Sequence, residues 1–533
     1  MTDDQDLTRP IGEAPELPPV PPGRSATTSG RPARHGRRES RSLASVLGLT
    51  ALNAALPGTA FLASGRRRVG AAVLLVALLL VGGAVWLATA GRRSAVQLAV
   101  DSTGLVWLIA GIAVLAVAWV AVIVTGYRSV LPRRSSRPRH LLGGLLVAAL
   151  VAAVAYPAYR VGTVAAAQRG LLEGVFAEDR ESATVVDTPD PFGDQERVNV
   201  LLLGGDGGEG REGVRTDTVI VASIETETGE TTLFSLPRNL EDLPFPADSP
   251  LAAIYPEGFE SGNESESLLN AVYRNGPADH PDVLGPTDDP GADFLKLGVG
   301  EALGLPIDYF VLVNLDGFSR LVDALGGITV NVNYYVPING EPTLGILPDG
   351  YIAPGPDQTM NGETALHFAR GRFGLTDYDR MARQRCTIDA IIDAADPITL
   401  LEQYQELAAT TQDIVSTDIP RSALDDFVDL AFLVKDAEVR SVVFDTSLID
   451  PAYPDFPKMR RIVQDTLAGT ATSTPAPAPA PGTSASGAEV PNGSPPQPVE
   501  GAAPASDIAD ACAYDPAQAQ AALAAGEPPT RRG

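Results

Sequence analysis

Five arginines, Arg370, Arg372, Arg380, Arg383 and Arg385, fall within the nineteen residues from His367 to Arg385, in a chain whose formal net charge is -26. A guanidinium stays charged and presents a fixed fork of donors, which suits phosphate oxygens better than proton transfer. Several such groups in one place repel one another unless an anion of comparable charge sits among them, and a pyrophosphate meets that requirement. Surface salt bridges are the alternative for any single member. Asp377, Arg380 and Gln384 stand at i, i+3 and i+7 and share one face if the segment is helical. Further polar residues interrupt apolar stretches at their ends: Asp206 in VNVLLLGGDGG, Arg215 and Asp217 at the opening of DTVIVASIE, and Arg238 at the close of TTLFSLPRN. Asp206 and Asp217 are hard oxygen ligands suited to Mg2+ (or Mn2+), which commonly bridges carboxylates and phosphates. Such a metal, together with arginines, neutralises charge on a transferring phosphoryl group. His367, beside Phe368, reads as a packed histidine. HExxH, P-loop, GxSxG and zinc-type cysteine patterns are absent from the sequence.

The elements that must hold these residues follow from patterning. The three stretches after Val198 read as strands, the last two joined as a hairpin by TETGE. Residues 241–295, rich in Pro, Gly, Asp and Glu, read as a loop-bearing insertion. FLKLGVGEALGL reads as helix, DYFVLVN as strand, LDGFSRLVDALGG as helix and ITVNVN as strand. From Gly362 the chain reads as helix, arginine loop, then helix to about Ala395. Strands and helices mixed in this way predict one sheet with helices on its faces, an α/β fold.

Ahead of this lies a different composition. Residues 1–163 carry 18 arginines, no lysine and seven acids, whereas the remainder is strongly acidic. Runs at roughly 69–90, 105–125 and 141–159 are uncharged and close to the ~20 residues needed to cross a bilayer. A fourth run, 43–63, contains Asn53, is broken by Pro57-Gly58 and has arginines on both flanks; it is expected to be re-entrant or interfacial. The arginine distribution places the N-terminus and loop 126–140 in the cytoplasm, and residues from about 164 outside. With about forty polar residues ahead of the first apolar run, no cleavable signal peptide is expected. The expected units are a disordered basic segment (1–42), a membrane region (43–163), a helical neck (164–196), a catalytic domain (197–468) and a disordered Pro/Ala/Ser-rich tail (469–533). Cys386 and Cys512 form an even pair that, in an external domain, favours a disulfide tying the tail near the arginines, two free thiols being the alternative. The acidic outer half excludes a broad nucleic-acid-binding face, and no partner of that kind is expected.

In order along the chain, NVLLLGGDGG, REGVRTDTVIVASI, TTLFSLPRNL, DYFVLVNLDGFSRLVDALGGITVNV and MNGETALHFARGRFGLTDYDRMARQRC resemble the LytR-CpsA-Psr family over about residues 197–395, with a weaker continuation at 454–463. The resemblance implies a membrane-anchored, extracytoplasmic three-layer α-β-α domain with a central mixed sheet and an apolar channel. It implies an Mg-dependent phosphotransferase that moves a glycopolymer, such as arabinogalactan or a teichoic-acid-like polymer, from a polyprenyl-pyrophosphate carrier in the membrane lipid to peptidoglycan. Carried over, it makes Arg215, Arg238, Arg370, Arg372, Arg380 and Gln384, with Arg383 of the same stretch, the pyrophosphate set. It makes Asp206 and Asp217 the metal ligands, and Asp206, Asp217, Arg238 and Asp377 the catalytic group. The family often has aspartate after the SLPR arginine; here Asn239 keeps an acceptor without the charge. The three-helix anchor also exceeds the single span common in the family. A polyprenyl-pyrophosphate hydrolase using the same residues, and a non-enzymatic cell-wall scaffold, are the competing functions.

Overall fold

Three strands that are almost wholly buried need cover on both faces. β1 (Arg197–Gly205), β2 (Thr216–Glu225) and β3 (Thr231–Leu236) receive it as the antiparallel centre of a mixed sheet. The computed structural model describes residues 42–131, 137–176, 181–185, 192–193, 195–206, 214–395, 415–469 and 505–531. The other strands are β4 (Tyr309–Asn314), β5 (Ile328–Val332), β6 (Val336–Ile338), β7 (Gly350–Ile352), β8 (Gly355–Met360), β9 (Val415–Thr417), β10 (Val439–Val443) and β11 (Ser506–Asp507). The main sheet has seven strands in the order β11-β10-β3-β2-β1-β4-β9, with β4 parallel to β1 and β10 parallel to β3. Two small ladders, β5 with β8 and β6 with β7, stand apart from it.

The helices of the membrane half are α1 (Leu43–Ala55), α2 (Thr59–Ala63), α3 (Arg67–Thr89), α4 (Arg92–Val100), α5 (Ser102–Val130) and α6 (Arg137–Val175). Those that follow are α7 (Pro250–Ile254), α8 (Leu269–Asp279), α9 (Pro290–Leu303), α10 (Leu315–Ala324), α11 (Gly362–Arg370), α12 (Asp377–Ala394), α13 (Leu424–Asp436), α14 (Phe456–Leu467), α15 (Ile508–Ala511) and α16 (Pro516–Ala525). Side chains alternate along a strand, so the sheet has two distinct apolar faces. Leu201, Leu203, Val221, Phe234 and Phe310 face α8, α9 and α14 in the largest core. Val198, Val200, Leu202, Ile220 and Leu233 face the other way, toward α12 and α13. The result is an α-β-α layering. The loop-bearing insertion at 241–295 also carries α7, α8 and the start of α9 among its turns. Leu251, Leu269 and Val272 are fully buried against the sheet although they follow no clear period.

Helices α3, α5 and α6 are long and apolar enough to cross a membrane. The ambiguous run 43–63 becomes the short pair α1 and α2, packed beside the far end of α5. Asn53 is fully buried at the break: its Oδ1 accepts from the N–H groups of Gly58 and Ala60, and its Nδ2 donates to the Val122 carbonyl at 3.0 Å. Among the described residues of the neck, the helix ends at Val175. Ser182, Ala183 and Thr184 instead give consecutive donors to the buried Asp293 carboxylate, which a bend can present and a helix cannot.

The tail departs from the expected disorder in its last part. Residues 1–41 and 470–504 lie outside the described residues, but β11 adds an antiparallel edge strand to β10, and Cys512 is disulfide-bonded to Cys386 of α12. Ile508 is buried in the core beneath α12, and Asn331 and Asn333 donate to the carbonyls of Cys512 and Ala513. The sequence read the tail by composition, whereas a covalent link and one buried isoleucine anchor its end. Beside the link, burial, with Asp393 and Asp507 adding to it, pushes the Asp389 carboxyl up to about 6, against Arg385. The folded chain therefore holds this proton more tightly than the unfolded one, so stability falls as pH rises from the ordinary aspartate range to about 6 and stays low above it. Asp389→Asn is expected to raise the melting temperature at about pH 8 more than at about pH 4, as measured by scanning calorimetry.

Candidate active site

At the end of β1 the ladder to β2 slips. Gly204 pairs with Thr218 but Gly205 pairs with Thr216, so Asp217 is the extra residue of a bulge. A bulged residue loses its ladder partners and its side chain is re-aimed. Arg380 Nη1 donates to the Asp217 carbonyl at 3.0 Å, replacing a lost strand partner. The Asp217 carboxylate accepts from Arg238 Nη1 at 2.7 Å. Arg238 Nε lies 3.5 Å from Asp377 Oδ1, and Asp377 Oδ2 accepts from Arg380 Nη2 at 3.0 Å. Two acids and two arginines thus alternate in a closed ring across β2, the end of β3 and the start of α12. Burial alone pushes the Asp217 carboxyl upward, but Arg238, Arg380 and the Asn270 amide outweigh it and hold the group below its ordinary range, ionised. Burial lowers the pKa of Arg380, with Asp377 and Asp217 opposing. Its buried Nε has no hydrogen-bond partner among the described residues.

The ring stands beside a cavity of about 360 Å³. Asp206, Asp217, Arg370, Arg372, Arg380 and Gln384 line one part of it. Leu202, Val311, Phe318, Leu321, Ile388, Ile391 and Ile392 line the rest. Helix α12 carries this gradient by itself: Arg380, Gln384, Ile388 and Ile391 recur at helical spacing, polar at the N-terminal end and apolar beyond. A capping box between Thr376 and Asp379 starts the helix. Gly371 separates Arg370 from Arg372 at a point where a Cβ would meet the Pro337 carbonyl oxygen at 2.6 Å, so only glycine lets the loop lie against β6.

Not every expected residue reaches the cavity. Arg383 is buried and turned away: its Nε donates to the Phe368 carbonyl at 2.7 Å, one Nη to the Gly371 carbonyl, and the other to Tyr334 Oη at 2.9 Å. With its fork spent on the loop it braces that loop and does not line the cavity. Arg385 bonds Ser441 at 2.9 Å, away from the site. Arg215 is absent from the cavity lining. It pairs with Glu266, which also holds Arg274 and accepts from Asn275 Nδ2 at 2.9 Å. The Asn275 amide, opposed by burial and helped by Arg215 and Arg274, keeps the Glu266 carboxyl below its ordinary range. Glu266, Arg274 and Asn270 were not legible in the sequence; an arginine amid the acid-rich insertion was the one available signal. His367 is half-buried, and burial lowers its pKa.

Asp217 of the bulge and Asp206 beside it line the same cavity, and Asp206 accepts the Arg215 backbone N–H at 2.8 Å. Two carboxylates fit a hard divalent cation whose other ligands come from phosphate and water. No group of three or more His, Cys, Asp or Glu is arranged for a metal among the described residues. A second, smaller cavity of about 100 Å³ also has acidic walls. Its carboxylates are engaged structurally: Asp293 by residues 182–184, and Asp418 by the buried Lys296 at 2.6 Å.

Residues 173–449 match the LytR_cpsA_psr family model. A polyisoprenyl-teichoic acid–peptidoglycan teichoic acid transferase TagU of Enterococcus faecalis is 31% identical over 231 residues, 42% of this chain and 62% of the relative. That of Bacillus licheniformis is 28% identical over 268 residues, 50% of this chain and 71% of the relative. The chain therefore spans less than two thirds of the Enterococcus protein's length. A solved protein of Streptococcus agalactiae is 24% identical, with a TM-score of 0.39 over 52% of this chain and 90% of that one.

Truncating Arg383 strands two buried carbonyls. Arg383→Ala is expected to cost about 2–4 kcal/mol in urea unfolding, whereas Arg372→Ala, at an exposed position, stays within about 0.5 kcal/mol.

Proposed function

The chain belongs to the LytR-CpsA-Psr family, and from that premise we propose that it transfers an anionic glycopolymer from a polyprenyl-pyrophosphate carrier to peptidoglycan. The observation that carries this reading is the two-part cavity: three arginines and a glutamine at one end, isoleucines, leucines and phenylalanine at the other. A pyrophosphate joined to an isoprenoid chain has that same division. The names of the relatives, which specify teichoic acid transfer to peptidoglycan, support the reaction class.

In the proposed reaction a peptidoglycan sugar hydroxyl attacks the sugar-proximal phosphorus. A new P–O bond to the acceptor forms, and the bond to the bridging oxygen breaks. Polyprenyl phosphate leaves with that electron pair, and the hydroxyl proton passes to a carboxylate. Arg370, Arg372, Arg380 and Gln384 hold the phosphate oxygens as the charge grows. Asp377 lies between two guanidiniums and orients them, which leaves Asp206 and Asp217 as the acids beside the reacting atoms. Mg2+ (or Mn2+) held by this pair would neutralise charge on the transferring phosphoryl group.

The proposed topology puts the N-terminus in the cytoplasm and the domain outside. The arginine-rich flanks support it. So does the packing: α4, between the first two long helices, touches α13 of the domain, while α1 and α2 pack at the opposite end of α5.

The test uses the full chain with a polyprenyl-pyrophosphate-linked glycan, Mg2+ and peptidoglycan fragments, with mass spectrometry of the products. A phosphodiester-linked glycan is expected, and Arg380→Ala is expected to lose about 100-fold in rate while remaining folded. Release of free glycan phosphate without linkage would make the site a hydrolase. Unchanged turnover in Arg380→Ala would sink the assignment of the arginines.

A further inference from the structure

The two faces of the main sheet differ in what covers the start of β1 and β4. Successive rungs on one face are Val200 with Tyr309, Leu202 with Val311, and Gly204 with Val313. The first rung is buried in a core to which the membrane half contributes Leu105 of α5 and Ala165 and Leu172 of α6. The second rung packs against that same core and also lines the cavity. The third lies at the cavity end that carries Asp206. From the core shared with the long helices to the phosphate end is thus four residues of strand, about 13 Å.

Polar contacts hold the same junction. Gln97 of α4 donates to Asp429 of α13 at 3.2 Å, and Arg93 Nε lies 3.3 Å from the same carboxylate. Arg93 also stands over the Phe432 ring, 5.6 Å from its centroid. Buried Gln168 of α6 donates to the Ala99 carbonyl at 3.1 Å, tying α4 to α6. Among the described residues these domain contacts fall on α4, the α4 end of α5 and the C-terminal end of α6, which is one end of the helical bundle. A single anchor helix would leave a domain free to tumble on its neck. Here a shared apolar core and a bracing loop helix fix its pose.

We propose that α4, α5 and α6 form a docking platform that holds the catalytic domain with the apolar end of its cavity against the membrane face, so that the protein selects carriers whose isoprenoid chain resides in the bilayer. The selectivity rests on the phosphotransferase reading; the docking does not. A carrier then moves from the bilayer into the cavity over the Leu202–Val311 rung, and the domain need not reorient for each turnover.

Hydrogen–deuterium exchange on the full chain in lipid nanodiscs tests the docking, with Ala165→Trp as a wedge in the shared core and Arg93→Ala/Gln97→Ala/Asp429→Ala as a milder variant. Amides of 92–100 and 424–436 are expected to exchange about tenfold faster in the wedge variant, and to rise less in the triple variant, with α12 unchanged. If those amides exchange equally fast in wild type and wedge while α12 stays protected, the platform is wrong. Should the wedge open α12 as well, the triple variant decides on the same criterion. The second arm compares kcat/KM for a long-chain carrier in proteoliposomes with that for a short-chain, detergent-soluble polyprenyl pyrophosphate. Ala165→Trp is expected to lose about tenfold on the first and to stay within about twofold on the second. Equal losses on both would reduce the platform to a structural support and overturn the selectivity. Absence of transfer by wild type with either carrier would defeat the phosphotransferase reading and the selectivity with it, leaving the docking to the exchange result.

Discussion

The extra residue at Asp217 is the constraint on which the site depends. Because β2 advances two residues while β1 advances one, the Asp217 carbonyl is lost to the ladder and Arg380 bonds it instead. The same residue's carboxylate holds Arg238, and Asp377 closes the circle. One backbone irregularity thereby locks the start of α12 to the end of the sheet and sets two guanidiniums at a fixed place. Buried ion pairs are poor evidence for stability, since desolvation offsets attraction. Their effect here is geometric. Arg380 is almost fully buried, cannot lose its proton and has its orientation dictated by Asp377 and a carbonyl, so it meets an anion without first being ordered.

Around that ring the arginines divide by function. Arg370 and Arg372 line the cavity and stand exposed to solvent. Arg383 shapes the loop between them by filling two carbonyls and stacking on Tyr334. Arg215 is balanced by Glu266, which it shares with Arg274. The concentration of positive charge in an acidic chain is therefore tolerated because acids and carbonyls take up part of it, while Arg370 and Arg372 line the cavity.

The membrane half and the domain are not joined by the neck alone. Val198, Val200 and Tyr309 complete their burial against side chains of α5 and α6, and the edge of that shared core is also the floor of the cavity. The physical link between the long apolar helices and the cavity is thus a stack of apolar side chains on one face of one sheet.

Local patterns in the chain suffice for the fold class and the family. Alternation after Val198 gives buried strands, long uncharged runs give membrane-length helices, and i, i+3, i+7 spacing puts Asp377, Arg380 and Gln384 on one face; each is a local periodicity that any reader of the chain can apply. The motifs in order gave the family, and the even cysteine pair pointed to the link that is present. Which arginines touch the cavity was decided only in three dimensions. Arg380 and Arg383 are alike in sequence, three residues apart, yet one faces the cavity and the other two backbone carbonyls, because α12 turns about 300° between them and meets different neighbours. Glu266 pairs with Arg215 across 51 positions, Ile508 anchors a tail that composition marked as unstructured, and Leu105 shares a core with Val200 through a fold no local pattern encodes. These contacts depend on where the sheet places its partners, and that placement exists only once the chain is folded.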